Sequence, residues 1–86
     1  MYSLLFLSSA KKEFKKLDSS AQKLIKKKLI VLAENPELVK NNIKSLKGEY
    51  RGKFRLRVHQ YRIIFQIKDD ELIITILRVG HRKEIY

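Results

Sequence analysis

Seven side chains in the second half of this chain have the types that phosphodiester chemistry uses: Lys53, Arg55, Arg57, Arg62, His81, Arg82 and Tyr86. When RNA is cleaved through its own 2′-hydroxyl, that hydroxyl loses a proton, the pentacoordinate phosphate gains negative charge, and the departing 5′-oxygen gains a proton. Guanidinium groups bind phosphate bidentately and stabilise the charge that develops in the transition state. These residue types fit RNA cleavage without a metal ion, if the fold brings them together.

Proton transfer and substrate positioning use the other members of the set. A lysine crowded by arginines has its cationic form disfavoured, which suits it to accept a proton. Histidine titrates near neutrality and serves as either base or acid. Tyrosine stacks on an unstacked base and holds the backbone in line for attack.

Most of these cations lie on a predicted β-hairpin. Basic and apolar residues alternate over 53–58, and strand side chains alternate between faces, so the basic residues share one face. With His59-Gln60 as a two-residue turn, Arg57 lies directly opposite Arg62. The same register pairs Phe54 with Phe65, Leu56 with Ile63 and Val58 with Tyr61. Like charges that face each other across a sheet are destabilising, so a polyanion bound to this face would explain the pair.

The segment after the last predicted strand completes the set. Gly80 interrupts the strand, and residues 81–86 are free to turn back over the basic face. Arg82 and Tyr86 then converge with the hairpin arginines in one concave site. Taken singly, Arg57 and Arg62 also fit a solvated edge, and His59 fits a turn residue; only the convergence favours a functional site.

A second hairpin must place the final strand beside the first one. Leu72–Val79 is apolar on both faces, as in a central strand. With Asp69-Asp70 as the turn, Arg62 lies beside Leu77 on the basic face. The same register pairs Phe65 with Ile74 and Ile63 with Ile76.

The N-terminal half supplies the elements that cover the apolar face. Residues 2–7 are predicted as a strand, Ser8-Ser9 as the cap of a helix, and 19–22 as a capping box that opens a second helix, which Asn35-Pro36 ends. Residues 37–52 are predicted as a loop. The apolar stripe of the second helix is Ala21, Leu24, Ile25, Leu29 and Leu32. The order β-α-α-β-β-β predicts a single α+β domain over residues 1–86, with two N-terminal helices packed on a small, largely antiparallel sheet.

Composition limits the partners. The chain has 20 Lys+Arg against 9 Asp+Glu, a net charge of +11, which implies nucleic acid, an acidic protein or, least favoured, a membrane surface. No apolar run approaches the ~20 residues of a spanning helix. Without cysteine there is no disulfide or thiolate site, and the expected compartment is the cytoplasm.

The sequence resembles the RelE/ParE superfamily of toxins, and within it the RelE-like mRNA interferases. The resemblance spans nearly the whole chain, and its most specific parts are 54–58, 61–65 and 79–86. It implies a type II toxin of the RelE-like fold: an endoribonuclease that cuts mRNA in the ribosomal A site by 2′-hydroxyl attack, with no metal or cofactor.

The resemblance also implies residue roles. Lys53 would be the general base, and Tyr86 would orient or stack the substrate base. Arg62 and Arg82 would stabilise the phosphorane and the leaving group. Arg55 stands where relatives often carry a second lysine, so a phosphate clamp shared with Arg57 fits it better than a base. His81 would take over proton transfer, as base or acid.

The same resemblance implies an acidic antitoxin that wraps the helices and the sheet and covers the basic site. Ile30 and Val31 lie off the buried stripe of the second helix and are candidate contacts for it. Two other functions stay open: a ParE-like inhibitor of DNA gyrase, which does not need RNA-cleaving residues, and a non-catalytic basic module that binds RNA or the ribosome.

Overall fold

The computed structural model describes residues 1–85. The helices and strands are β1 (Ser3–Phe6), α1 (Ser8–Lys15), α2 (Ser19–Glu34), β2 (Ile43–Ser45), β3 (Phe54–Val58), β4 (Tyr61–Lys68), β5 (Ile73–His81) and α3 (Arg82–Ile85). Two 3₁₀ helices, Pro36–Asn42 and Gly48–Tyr50, flank β2. The segment predicted as a loop therefore contains a short strand, and a helical turn comes after the last strand.

The strands form one sheet in the order β1-β5-β4-β3-β2. β1 runs parallel to β5, and the other neighbours are antiparallel. A parallel pair needs a long crossover, which the intervening helices and strands provide. The α+β class with two helices on a largely antiparallel sheet is confirmed.

The hydrophobic core lies between the helices and one face of the sheet, which we call the inner face. α2 buries Ala21, Ile25, Leu29 and Leu32 of its predicted stripe, together with Ala33, while Leu24 is half-buried against the core. The inner face contributes Leu56, Val58, Ile63, Phe65, Ile74, Ile76 and Val79. Each fully buried aliphatic side chain contributes about 1.5–3 kcal/mol. This face therefore supplies most of the stability, and the opposite face, the outer face, is available for polar residues.

The helix caps differ from the predicted ones. Leu7 is the N-cap of α1 and makes no side-chain cap bond, so Ser8-Ser9 does not cap that helix. α2 is capped by Asp18, whose carboxylate accepts the backbone N–H of Ala21 at 2.8 Å. That hydrogen bond and one from Ser20 lower the pKa of Asp18. An ionised carboxylate satisfies the unpaired N–H groups of the first turn better than a serine hydroxyl does.

The register of the first hairpin is confirmed, and that of the second is wrong. β3 and β4 pair as predicted, with Arg57 opposite Arg62. The turn between β4 and β5 has four residues, 69–72, with Leu72 at a positive φ of 53°. A bulge then leaves Leu77 without a partner, because Phe65 pairs with Ile76 and Ile64 with Arg78. Arg62 consequently lies beside Gly80 and not beside Leu77.

Glu13 of α1 stabilises the bulged part of β5. β1 pairs with β5 only as far as Ile76, so the subsequent N–H groups at that edge have no strand partner. One carboxylate oxygen of Glu13 accepts the N–H of Val79 at 2.9 Å, and the other lies 2.8 Å from the Arg78 guanidinium. A buried backbone donor left unpaired costs about 1–3 kcal/mol, so the helix replaces the missing strand.

The described part of the chain holds neither a membrane span nor a cluster of metal ligands. Within residues 1–85 no helix is long and apolar enough to cross a membrane. The same residues include no group of three or more His, Cys, Asp or Glu side chains placed to hold a metal ion.

Candidate functional site

The outer face carries the basic residues of the hairpin. Because strand side chains alternate, Arg55, Arg57 and Arg62 point away from the helices. Arg57 and Arg62 are directly opposite, and the next partner in that row is Gly80, which adds no side chain. Two cations and a buried glycine therefore lie side by side across three strands.

Arg62 is the most firmly held of these cations. Only 8% of its surface is exposed. Its Nη1 donates hydrogen bonds to the carbonyl oxygens of His59 at 2.8 Å and Tyr61 at 2.9 Å. His59 has a positive φ of 54°, so the arginine also supports a turn that most residues would disfavour. The guanidinium is thus fixed in position before any ligand arrives.

Arg82 reaches the same place from the C-terminal segment. Its backbone N–H donates to the carbonyl of Gln60 at 2.8 Å, which ties the start of α3 to the β3–β4 turn. The Arg82 side chain is exposed, in contrast to that of Arg62. The C-terminal segment therefore brings the accessible guanidinium of Arg82 next to the fixed guanidinium of Arg62.

These residues line one cleft, which we call the arginine cleft. It has a volume of about 540 Å³ and is lined by Arg55, Arg57, Arg62, Arg82 and Lys83. An adjoining cleft of about 480 Å³ shares Arg57, Arg62 and Arg82 and adds Lys28, Asn42, Val58 and His59. Every described residue that lines the arginine cleft is cationic. A cleft lined by cations attracts an anion such as a phosphate group.

His81 is not part of this cleft. In the predicted register, residue 81 falls on the basic face, but the bulge at Leu77 reverses the alternation of all the residues after it. His81 instead pairs with Tyr61 on the inner face, with the two rings edge to face and their centroids 5.8 Å apart. The structure therefore does not bring this imidazole to the arginines.

Of the two remaining predicted site residues, Lys53 and Tyr86, the structure describes only Lys53. Lys53 directly precedes β3, and by alternation it lies on the outer face two residues before Arg55. Its backbone is fixed by hydrogen bonds to Tyr50 and Leu46. It lines neither cleft among the described residues and lies at the Arg55 end of the row. Tyr86 lies outside the described residues.

Three cations near the site were not singled out from the sequence. Lys83 lines the arginine cleft and Lys28 lines its neighbour. Arg78 lies on the outer face opposite Ile64. Two hydrogen bonds raise the pKa of Arg78, the one with Glu13 more than the one with Tyr50. Its charge is neutralised by Glu13 at 2.8 Å. The bulge sets the position of Arg78, and no local pattern in the sequence predicts that bulge.

An apolar groove lies away from the arginine cleft, where β1 meets the two long helices. It has a volume of about 540 Å³, and its floor is formed by Leu4, Leu5, Phe6, Phe14, Leu29 and Ile30, with Lys11, Lys15, Lys26 and Gln22 also lining it. Ile30 is 45% exposed there, whereas Val31 is half-buried against the core. Of the two predicted contact residues, the structure places only Ile30 in an open groove.

Comparison with known proteins identifies a family and relatives that this chain resembles. The sequence model of a family described as the ParE toxin of type II toxin–antitoxin systems matches residues 4–86. The mRNA interferase toxin RelE of Escherichia coli K12 is 33% identical over 87 residues, covering 99% of this chain and 90% of that protein. Toxin RelG of Mycobacterium tuberculosis is 42% identical over 43 residues, half of each chain.

Solved structures give the same result for the fold. A chain of the intact E. coli RelBE toxin–antitoxin complex superposes with a TM-score of 0.77 at 29% identity, covering 94% of this chain and 96% of that one. A chain of the RelB–RelE antitoxin–toxin complex of Methanococcus jannaschii gives a TM-score of 0.72 at 31% identity, covering 95% and 94%.

Proposed function

Because this chain belongs to the RelE/ParE superfamily of type II toxins, we propose that it is a toxin endoribonuclease that cleaves mRNA. The proposed reaction is attack of a 2′-hydroxyl on the adjacent phosphate in the ribosomal A site, in the cytoplasm. RelE of Escherichia coli K12, a relative that covers 99% of this chain, is named an mRNA interferase toxin, which supports this branch of the superfamily.

The observation that carries the proposal is the convergence of four arginines from two strands and the tail in one cleft. In the proposed mechanism the fixed Arg62 and the accessible Arg82 bind the scissile phosphate and stabilise its additional charge. Arg57 and Arg55 hold the phosphate backbone in place. The arginines supply the charge stabilisation that a metal ion would otherwise provide, so the mechanism needs no metal.

Proton transfer is assigned to Lys53 in this mechanism. Lys53 and the arginines share the outer face, whereas His81 lies on the inner face. Lys53 removes the proton of the 2′-hydroxyl, and the 2′-oxygen attacks phosphorus. The bond between phosphorus and the 5′-oxygen breaks, and the 5′-oxygen takes a proton from water while Arg82 stabilises its charge. Tyr86, by its resemblance to relatives, orients or stacks the substrate base.

A translation reaction with one defined mRNA tests the function. We expect cuts at codon-phased positions when ribosomes translate the message, and an intact message without ribosomes. Attack by the 2′-hydroxyl leaves a cyclic 2′,3′-phosphate on the upstream fragment and a 5′-hydroxyl on the downstream one. Primer extension and end-group analysis measure both features. Intact mRNA with accumulated DNA breaks would identify a gyrase inhibitor, and loss of translation without any cut would identify a binding module.

The apolar groove is the surface we assign to the antitoxin. The structural neighbours include toxin chains in complex with RelB antitoxins, which supports a protein partner. The groove combines an apolar floor with three lysines, so it fits an amphipathic segment with acidic residues along its polar side. The net charge of +11 favours the same kind of partner.

Replacing Ile30 by glutamate tests this surface. Ile30→Glu removes an exposed apolar contact and places a negative charge where an acidic partner binds, so the affinity for the cognate antitoxin should fall about tenfold or more. Leu38→Glu is the matched control, because Leu38 is 72% exposed and lies outside the groove. Calorimetric titration with the antitoxin measures the dissociation constant of both variants. Equal losses in the two variants would place the antitoxin elsewhere.

A further inference from the structure

A second pair of like charges lies across the outer face, next to the arginine cleft. Lys44 of β2 is paired with Arg55 of β3, one row away from Arg57 and Arg62. Cations directly opposite each other in a sheet are destabilising, and this small sheet contains two such pairs in adjacent rows. The row spacing is two residues along β3, or about 7 Å.

The cavities around these pairs share one lining residue. A cleft of about 410 Å³ is lined by Lys44, Ser45, Leu46, Lys47 and Arg55. Arg55 also lines the arginine cleft, so one side chain forms part of the wall of both. The described residues that line the two clefts include no acidic side chain. The two clefts form a basic track from the tail, across the hairpin, to the open edge of the sheet.

The two rows also differ in the residues beyond the cationic pair. In the row of Lys44 and Arg55, the next partner is Ile64, which is fully buried, and then Arg78, whose charge Glu13 neutralises. The exposed cation of this row is therefore Lys44, at the β2 edge. A ligand with a single phosphate can occupy only one row at a time.

We propose that Lys44, together with Arg55 and Lys47, forms a second phosphate subsite that binds the phosphodiester next to the scissile one. This inference rests on the proposed function, because it assigns the neighbouring part of the same RNA strand. Two adjacent phosphates of a single strand then lie in two adjacent rows of the sheet. The subsite holds the strand in register and takes no part in proton transfer.

Short oligonucleotides test the subsite without any cleavage. The probes are UpU, which has one phosphate, and UpUpU, which has two, both lacking the attacking 2′-hydroxyl and both titrated by NMR. For the wild-type chain, UpUpU should bind more tightly than UpU. Lys44→Gln should lose most of that gain, up to about fivefold for an exposed charge pair, while its affinity for UpU stays unchanged. Its salt slope with UpUpU should become shallower by about 0.7.

Lys23→Gln is the matched control, since Lys23 is an exposed lysine of α2 that lines none of these clefts. If Lys44→Gln and Lys23→Gln bind both probes alike, the subsite does not exist. Loss of antitoxin binding by Lys44→Gln with unchanged UpUpU binding would also overturn it. The proposed function fails separately, in the translation reaction, because binding of these probes needs no cleavage.

Discussion

Replacing Arg82 by alanine is expected to slow mRNA cleavage about 10²–10³-fold while the domain stays folded. The Arg82 side chain is exposed in the arginine cleft, so its loss creates no cavity in the core. The contact that places α3 uses the backbone N–H of residue 82, which alanine retains. The variant therefore removes the guanidinium that we propose binds the phosphate, and it keeps the C-terminal segment in position. Single-turnover cleavage of a defined mRNA on translating ribosomes measures the rate, and thermal unfolding measures the fold.

Two further variants make the result specific. Arg51→Ala makes the same charge change at an exposed arginine that lines neither cleft, so it should cleave at nearly the wild-type rate. Arg82→Lys keeps the charge but cannot bind phosphate through two parallel N–H groups, so its rate should lie between the other two. Wild-type cleavage by Arg82→Ala, or an equal loss in Arg51→Ala, would remove Arg82 from the mechanism.

Replacing Arg62 by alanine is expected to affect both cleavage and stability. Its loss should slow cleavage about 10²–10³-fold, as for Arg82. It also leaves the carbonyl oxygens of His59 and Tyr61 without the guanidinium that they now share. Hydrogen bonds to charged groups contribute about 1.5–3 kcal/mol, so the free energy of unfolding should fall by about that amount, and Tm by about 10 °C.

The two effects can be separated. Urea unfolding gives the stability of Arg62→Ala, and cleavage is then measured at a temperature where the variant is fully folded. Arg62→Lys retains a cation but cannot bridge both carbonyls and a phosphate with one planar group, so it should recover part of each loss. A folded Arg62→Ala that cleaves normally would show that this arginine only supports the turn. An unchanged free energy of unfolding would show that the hydrogen bonds to the two carbonyl oxygens do not stabilise the fold.

The contrast between these two arginines could not be predicted from the sequence. As residue types they are equal, and the hairpin pattern correctly placed Arg62 opposite Arg57. Burial distinguishes them, since Arg62 is packed against the β3–β4 turn and Arg82 is exposed at the start of α3. Burial depends on which distant parts of the chain cover a residue, and it cannot be predicted from the alternation of side chains along one strand.

The sequence by itself determined β1, the two N-terminal helices, the three C-terminal strands, the helix-covered face and the arginine side of the first hairpin, but it did not show β2 or α3. These features depend on local periodicity and on a two-residue turn, both of which are written in consecutive residues. The tertiary structure decided the register of β5. There a four-residue turn and the bulge at Leu77 move Gly80 beside Arg62 and His81 to the inner face.

The physical reason is that one extra residue reverses the alternation of all the residues after it, and its cost is offset by a distant group. That group is the Glu13 carboxylate, 66 residues away along the chain, which accepts the N–H of Val79. The pairing of Lys44 with Arg55 has a similar origin, because β2 is too short to show a pattern and is ordered by the hairpin beside it. Local sequence therefore supplied the cations, and contacts between distant segments decided which of them meet.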